Sequence, residues 1–105
     1  MIGIGKWSCH VDTMMFRGDV ILTIADNDGA YAFSAEVPGV KLPEYSVTDI
    51  QEQEDGCTLT AVVKTPVLSG KDLPISITFD GDTCTGFAKV PLLGKMKFKN
   101  GTRIG

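Results

Sequence analysis

The stretch Val20-Ile21-Leu22-Thr23-Ile24-Ala25-Asp26-Asn27-Asp28-Gly29-Ala30-Tyr31-Ala32-Phe33-Ser34-Ala35-Glu36-Val37 decides how this chain folds. Two runs rich in β-branched, aromatic and small apolar residues flank the dipeptide Asp28-Gly29. An Asp-Gly pair suits a type I′ turn, in which both central residues adopt φ > 0 and the flanking strands keep their right-handed twist. A two-residue loop there pairs Asn27 with Ala30. It then sets Ile24 opposite Phe33, Leu22 opposite Ala35 and Val20 opposite Val37. These six apolar residues fall on one face, as the two-residue period of a half-buried strand requires. A slip of one residue would turn that face to solvent, so turn and pattern support each other.

Working outward, the same punctuation recurs at Asp55-Gly56, Asp80-Gly81 and Asn100-Gly101. A two-residue loop at Asp80-Gly81 pairs Ile77 with Cys84, Ile75 with Gly86 and Leu73 with Ala88, setting large side chains against small ones. A loop at Asp55-Gly56 pairs Glu52 with Leu59, Ile50 with Ala61 and Thr48 with Val63, which leaves Tyr45 and Val47 pointing outward. Asn100-Gly101 has too short a tail for another full strand and reads as a turn that brings Arg103 back towards Trp7. The predicted strands are residues 4–11, 19–25, 30–37, 45–53, 57–64, 73–79, 83–90 and 95–99. No window carries a helical period.

Eight sequential antiparallel strands leave two exposed edges unless the first pairs with the last. The expected fold is therefore all-β, an eight-stranded up-and-down meander barrel in one domain over residues 1–105, with a β-sandwich as the alternative. An eight-stranded barrel has an interior that side chains just fill, or that holds one small ligand.

Composition narrows the function classes. The chain has 105 residues, 43% of them hydrophobic and 22% charged, with a net charge of −3. This is an ordinary globular balance. All 13 acids lie in residues 1–82 with 5 of the bases, whereas residues 83–105 hold 5 bases and no acid. The net acidity argues against a nucleic-acid partner. Lysines on a last strand discourage edge pairing. An anion-facing surface is the sharper reading of the same residues. No apolar run reaches the ~20 residues of a membrane span, and the N-terminus lacks the pattern of a secretory signal. Three cysteines, Cys9, Cys57 and Cys84, are odd in number and widely spaced, which points to reduced thiols and a cytoplasmic protein.

The connections differ between the two ends of the meander. Asn27-Asp28-Gly29, Glu54-Asp55-Gly56 and Asp80-Gly81-Asp82 are tight and acidic. The opposite set carries Met14, Met15 and Phe16 beside Arg17, then Val40 and Leu42, Val67 and Leu68, and Leu92 and Leu93. Clustered apolar loops need an explanation, because connections on a surface are usually polar. Three fit: a plug for that end, the rim of a ligand mouth with an adaptable Met-rich lid, or an interface for a homo-oligomer or another partner. The preferred function is a binding module for a small apolar molecule or partner at this end. An enzyme of the small-barrel isomerase or cyclase type, with His10, Asp12 or Arg17 at the rim, is the alternative, as is a structural subunit of a homo-oligomer with no ligand.

Gly5-Lys6-Trp7 resembles the Gly-x-Trp opening of the calycin group, the lipocalins, fatty-acid-binding proteins and avidins. Arg103 resembles the basic residue that packs over that Trp. The resemblance implies structural closure by Trp7 and Arg103 at the tight end, and a lid at Met14 to Arg17.

The remaining candidates read more simply. If Trp7 points inward, so do Cys9 and Val11, and His10 and Asp12 point out. Cys9, His10, Cys57 and Cys84 lack the close spacings of a zinc site, so no metal and no cofactor is expected. Arg17-Gly18-Asp19 reads as a turn into a strand. Asp26-Asn27-Asp28-Gly29 resembles only the start of a calcium loop and lacks its later ligands.

Overall fold

The eight strands form in order, and each pairs with its neighbour in sequence wherever a hairpin joins them. The computed structural model describes residues 1–12, 17–66, 71–90 and 94–105. They comprise β1 (Gly5–Asp12), β2 (Arg17–Asn27), β3 (Ala30–Glu36), β4 (Ser46–Glu52), β5 (Thr58–Lys64), β6 (Leu73–Asp80), β7 (Thr83–Val90) and β8 (Gly94–Arg103). One antiparallel sheet runs β3-β2-β1-β8-β7-β6-β5-β4. The first and last strands pair, with Trp7 opposite Arg103 and Val11 opposite Phe98. Among the described residues there is no α-helix, and no helix long and apolar enough to cross a membrane.

The deciding hairpin has the expected register: Asn27 faces Ala30, Ile24 faces Phe33 and Leu22 faces Ala35. Asp28 and Gly29 have φ of 52° and 90°, the two positive values of a type I′ turn,. The carboxylate of Asp26 accepts the Gly29 amide at 2.8 Å and holds the turn from the side.

Three expectations need correction. The β6–β7 loop is Gly81-Asp82, one residue later than the dipeptide suggests, because Asp80 pairs with Thr83. Gly81 alone is at positive φ, 61°, as a type II′ turn requires of its first central residue. The inward set is unchanged and large still meets small: Phe79 faces Cys84, Ile77 faces Gly86 and Ile75 faces Ala88.

Second, the β4–β5 ladder begins as expected with Glu52 opposite Leu59, but a bulge lies between Thr48 and Gln51. Asp49 supplies the extra residue at φ 55°. Beyond it Val47 faces Val63 and Thr48 faces Val62. This one-residue shift flips the outer half of β4, so Tyr45 and Val47 turn to the inner face.

Third, Asn100-Gly101 is not a turn. β8 runs through it to Arg103, and Gly101 pairs with Cys84 across the ladder. Arg103 reaches Trp7 by simple continuation of the strand.

The inner face is divided along the strand direction. At the tight-turn end Trp7, Cys9, Ile24, Leu59, Ile77, Phe79 and Cys84 form one buried cluster. The strands pass from this packed end towards the apolar connections.

Candidate functional site

Trp7 sets the packed end. Its ring is fully buried and lies 4.9 Å from the Phe79 ring, centroid to centroid, tilted by 51°. Its indole Nε1–H donates to the Gly3 carbonyl at 2.9 Å. The Arg103 guanidinium stacks over the ring at 4.5 Å, donates to the Ile4 carbonyl at 2.5 Å and pairs with Asp82 at 2.9 Å. Gly5 makes this possible. It sits at φ 140°, and a Cβ on it would run into the guanidinium and the Gly105 carbonyl.

Above this cluster lies a cavity of about 350 Å³. Its floor includes Cys9 and Ile77, and Val11, Leu22, Val63 and Ile75 rise around it. Alternation puts these residues inside, and the small Ala35 and Ala88 line the space with them. Ser34, Tyr45, Thr65 and Lys97 are the polar residues among the lining, and Tyr45 is held in place by hydrogen bonds. Its hydroxyl is engaged at the wall, accepting the Ala35 amide at 2.8 Å and donating to the Ala35 carbonyl at 3.3 Å. The cavity surface is nonetheless almost entirely hydrocarbon, and it lies at the end that carries the apolar connections.

The residues expected at that end are placed unequally. Leu42 lines the cavity. Val40 does not: it closes a turn onto Val37 through a 3.0 Å backbone bond and is exposed. Arg17 stands on the outer face and pairs with Asp12 at 2.9 Å. Met14, Met15, Phe16, Val67, Leu68, Leu92 and Leu93 lie outside the described residues. His10 points outward as expected and meets Asp19 at 3.0 Å. The rim candidates His10, Asp12 and Arg17 are thus engaged on the outer surface, one in a hydrogen bond to Asp19 and two in an ion pair with each other, and none of the three lines the cavity.

The thiols are free. Cys9 and Cys84 sit two strands apart and meet over Gly101, whose missing side chain leaves the gap. The hydrogen bond to Cys84, together with burial, pushes the Cys9 thiol well above the ordinary thiol range, so it is a neutral packing group at physiological pH. Among the described residues no group of three or more His, Cys, Asp or Glu is placed to hold a metal ion.

Sequence reasoning missed most of the cavity wall, because it placed the site in the connections. The signal was nonetheless present in the inward strand positions Val20, Leu22, Ala35 and Ala88, which the hairpin registers had already put on one face. Tyr45 and Val47 had no such signal, since the bulge at Asp49 carries no glycine. No protein-family model, curated protein or solved structure matches this chain.

Proposed function

We propose that this protein binds one small apolar molecule inside a calycin-like barrel, in the space above the Trp7 cluster. The observation that carries the reading is a cavity of about 350 Å³ walled by hydrocarbon. Ligand pockets span roughly 300–1,000 Å³ and are mostly apolar with few polar groups. An apolar space of this kind binds apolar molecules rather than water, because water finds no hydrogen-bond partners there. Catalysis has less support, since His10, Asp12 and Arg17 are paired on the outer surface and do not line the cavity.

The closure of the barrel is part of the proposal. β1 and β8 pair by a ladder, while β3 and β4 are joined through side chains. Arg103 over Trp7 supports the calycin-like reading of the tight end.

The test is titration with 1-aminoanthracene, whose fluorescence rises on leaving water. One equivalent should bind with saturation. Val63→Phe places an aromatic ring in the cavity; it should weaken binding at least tenfold and leave the circular-dichroism spectrum and thermal midpoint near the wild-type values. Unchanged binding in this variant would refute the site. If the wild type saturates with no dye and elutes as an oligomer on sizing chromatography, the apolar end serves assembly instead.

A further inference from the structure

The sheet has one junction unlike the rest. Between successive strands from β3 round to β4, through β1 and β8, backbone ladders join every pair. Among the described residues β3 and β4 share no ladder. What joins them is a few side-chain hydrogen bonds. Tyr45 Oη accepts the Ala35 amide at 2.8 Å and donates to the Ala35 carbonyl. Near the tight end Tyr31 Oη donates to the Glu52 carboxylate and accepts the Ile2 amide at 2.7 Å.

This junction is also a wall of the cavity. Phe33 and Ala35 line it from β3 and Val37 from just beyond it, and Leu42, Tyr45 and Val47 line it from the β4 side. The Tyr45 ring is at once a piece of the wall and, through its hydroxyl, the fastener. It reaches that position because Asp49 takes the left-handed conformation and shifts β4 by one residue. Left-handed backbone at a non-glycine residue persists only where the surroundings hold it.

From these observations we infer that the β3/β4 seam is the route by which a ligand enters the cavity, with the Tyr45 hydroxyl as its latch. This rests on the binding function proposed above. Parting the seam at its cavity end breaks the two hydrogen bonds at Tyr45, leaves the Tyr31–Glu52 bond at the tight end in place, and exposes the flank of the cavity. Parting any other junction severs a ladder; for β5 and β6 that ladder has six residue pairs. The cheapest opening of the molecule therefore lies directly beside the apolar space, as expected of an element drawn from the low-stability end of a fold.

The experiment uses Tyr45→Phe, which keeps the ring in the wall and removes the latch. Hydrogen exchange at the Ala35 amide should accelerate about fivefold, the factor set by one net hydrogen bond of typical strength, while amides in the β1–β2 and β5–β6 ladders stay as in the wild type. In stopped flow, 1-aminoanthracene should associate and dissociate severalfold faster. Unchanged exchange at Ala35, or acceleration spread evenly over all ladders, overturns the latch. Faster exchange at Ala35 with an unchanged dye association rate overturns the seam as the entry route and puts entry at the apolar-loop end. A wild type that takes up no dye fails the binding function itself, and does so whatever the exchange rates show.

Discussion

Replacing Arg103 by Ala removes the group that closes the tight end over the only tryptophan. Three interactions go with it, and their exposure sets their size. The guanidinium lies 4.5 Å over the Trp7 ring. Its side chain is 34% exposed, between the exposed and desolvated limits of cation–π contacts, so about 1 kcal/mol is lost there. The bond to the Ile4 carbonyl is charge-assisted but partly solvated, and contributes about 1 kcal/mol. The Asp82 partner is 84% exposed, so that pair adds no more than about 0.5 kcal/mol. The total is about 2–3 kcal/mol, which lowers Tm by roughly 10–20 °C in a domain of this length. Urea unfolding followed by Trp7 fluorescence measures it directly. Arg103→Lys keeps the charge and loses the planar stack, and should fall midway; Asp82→Ala should cost about 0.5 kcal/mol or less. An Arg103→Ala variant within 0.5 kcal/mol of wild type, or an Asp82→Ala loss as large as that of Arg103→Ala, would refute the view that the ring contact and the backbone bond hold this end.

Two other perturbations probe the strand ends. Gly101→Ala should destabilise by more than about 2 kcal/mol in chemical denaturation, since its Cβ would fall 2.4 Å from Cys84 Sγ and 3.0 Å from the Cys84 carbonyl,; adding Cys84→Ala should recover part of the loss, the carbonyl clash remaining. Asp55 accepts hydrogen bonds from the Thr58 hydroxyl and from the Cys57 and Thr58 amides, and the first of these does most to hold its carboxyl below the ordinary aspartate range. A carboxyl with a depressed folded-state pKa stabilises above its unfolded pKa and stops doing so as pH falls through the folded value. The denaturation midpoints of wild type and Asp55→Ala should therefore differ at pH 7 and draw together as pH falls below the ordinary aspartate range.

The β2–β3 hairpin was legible from its turn as far as Leu22 and Ala35 because two independent signals, an Asp-Gly turn and a two-residue apolar period, had to agree; the expected Val20–Val37 pair gives way to a bridge from Val37 to Val40. The β6–β7 hairpin shows the limit of the dipeptide alone: either Asp80-Gly81 or Gly81-Asp82 keeps the same residues inside, so alternation does not choose between them. β4 shows a deeper limit. Val47-Thr48-Asp49-Ile50 reads as a plain strand, and only packing against β5 and the bond to Ala35 place Asp49 in the left-handed region and turn Tyr45 inward. Asn100-Gly101 misled for a related reason. A glycine serves a turn or a close approach equally well, and here it makes room for two sulfurs. The site was legible as an end of the molecule and illegible as a set of residues, because apolar connections draw attention away from the strands between them.

By itself the amino-acid sequence determined the strand number, the antiparallel order, the acidic tight end and the inward positions of most strands. These follow from turn stereochemistry and a two-residue period, both local. The tertiary structure alone decided that β3 and β4 meet through tyrosine hydroxyls, that β4 changes face at Asp49, and that a cavity remains above Trp7. Space left between inward side chains depends on how far apart the walls stand, and that distance is set by residues remote from one another in the chain.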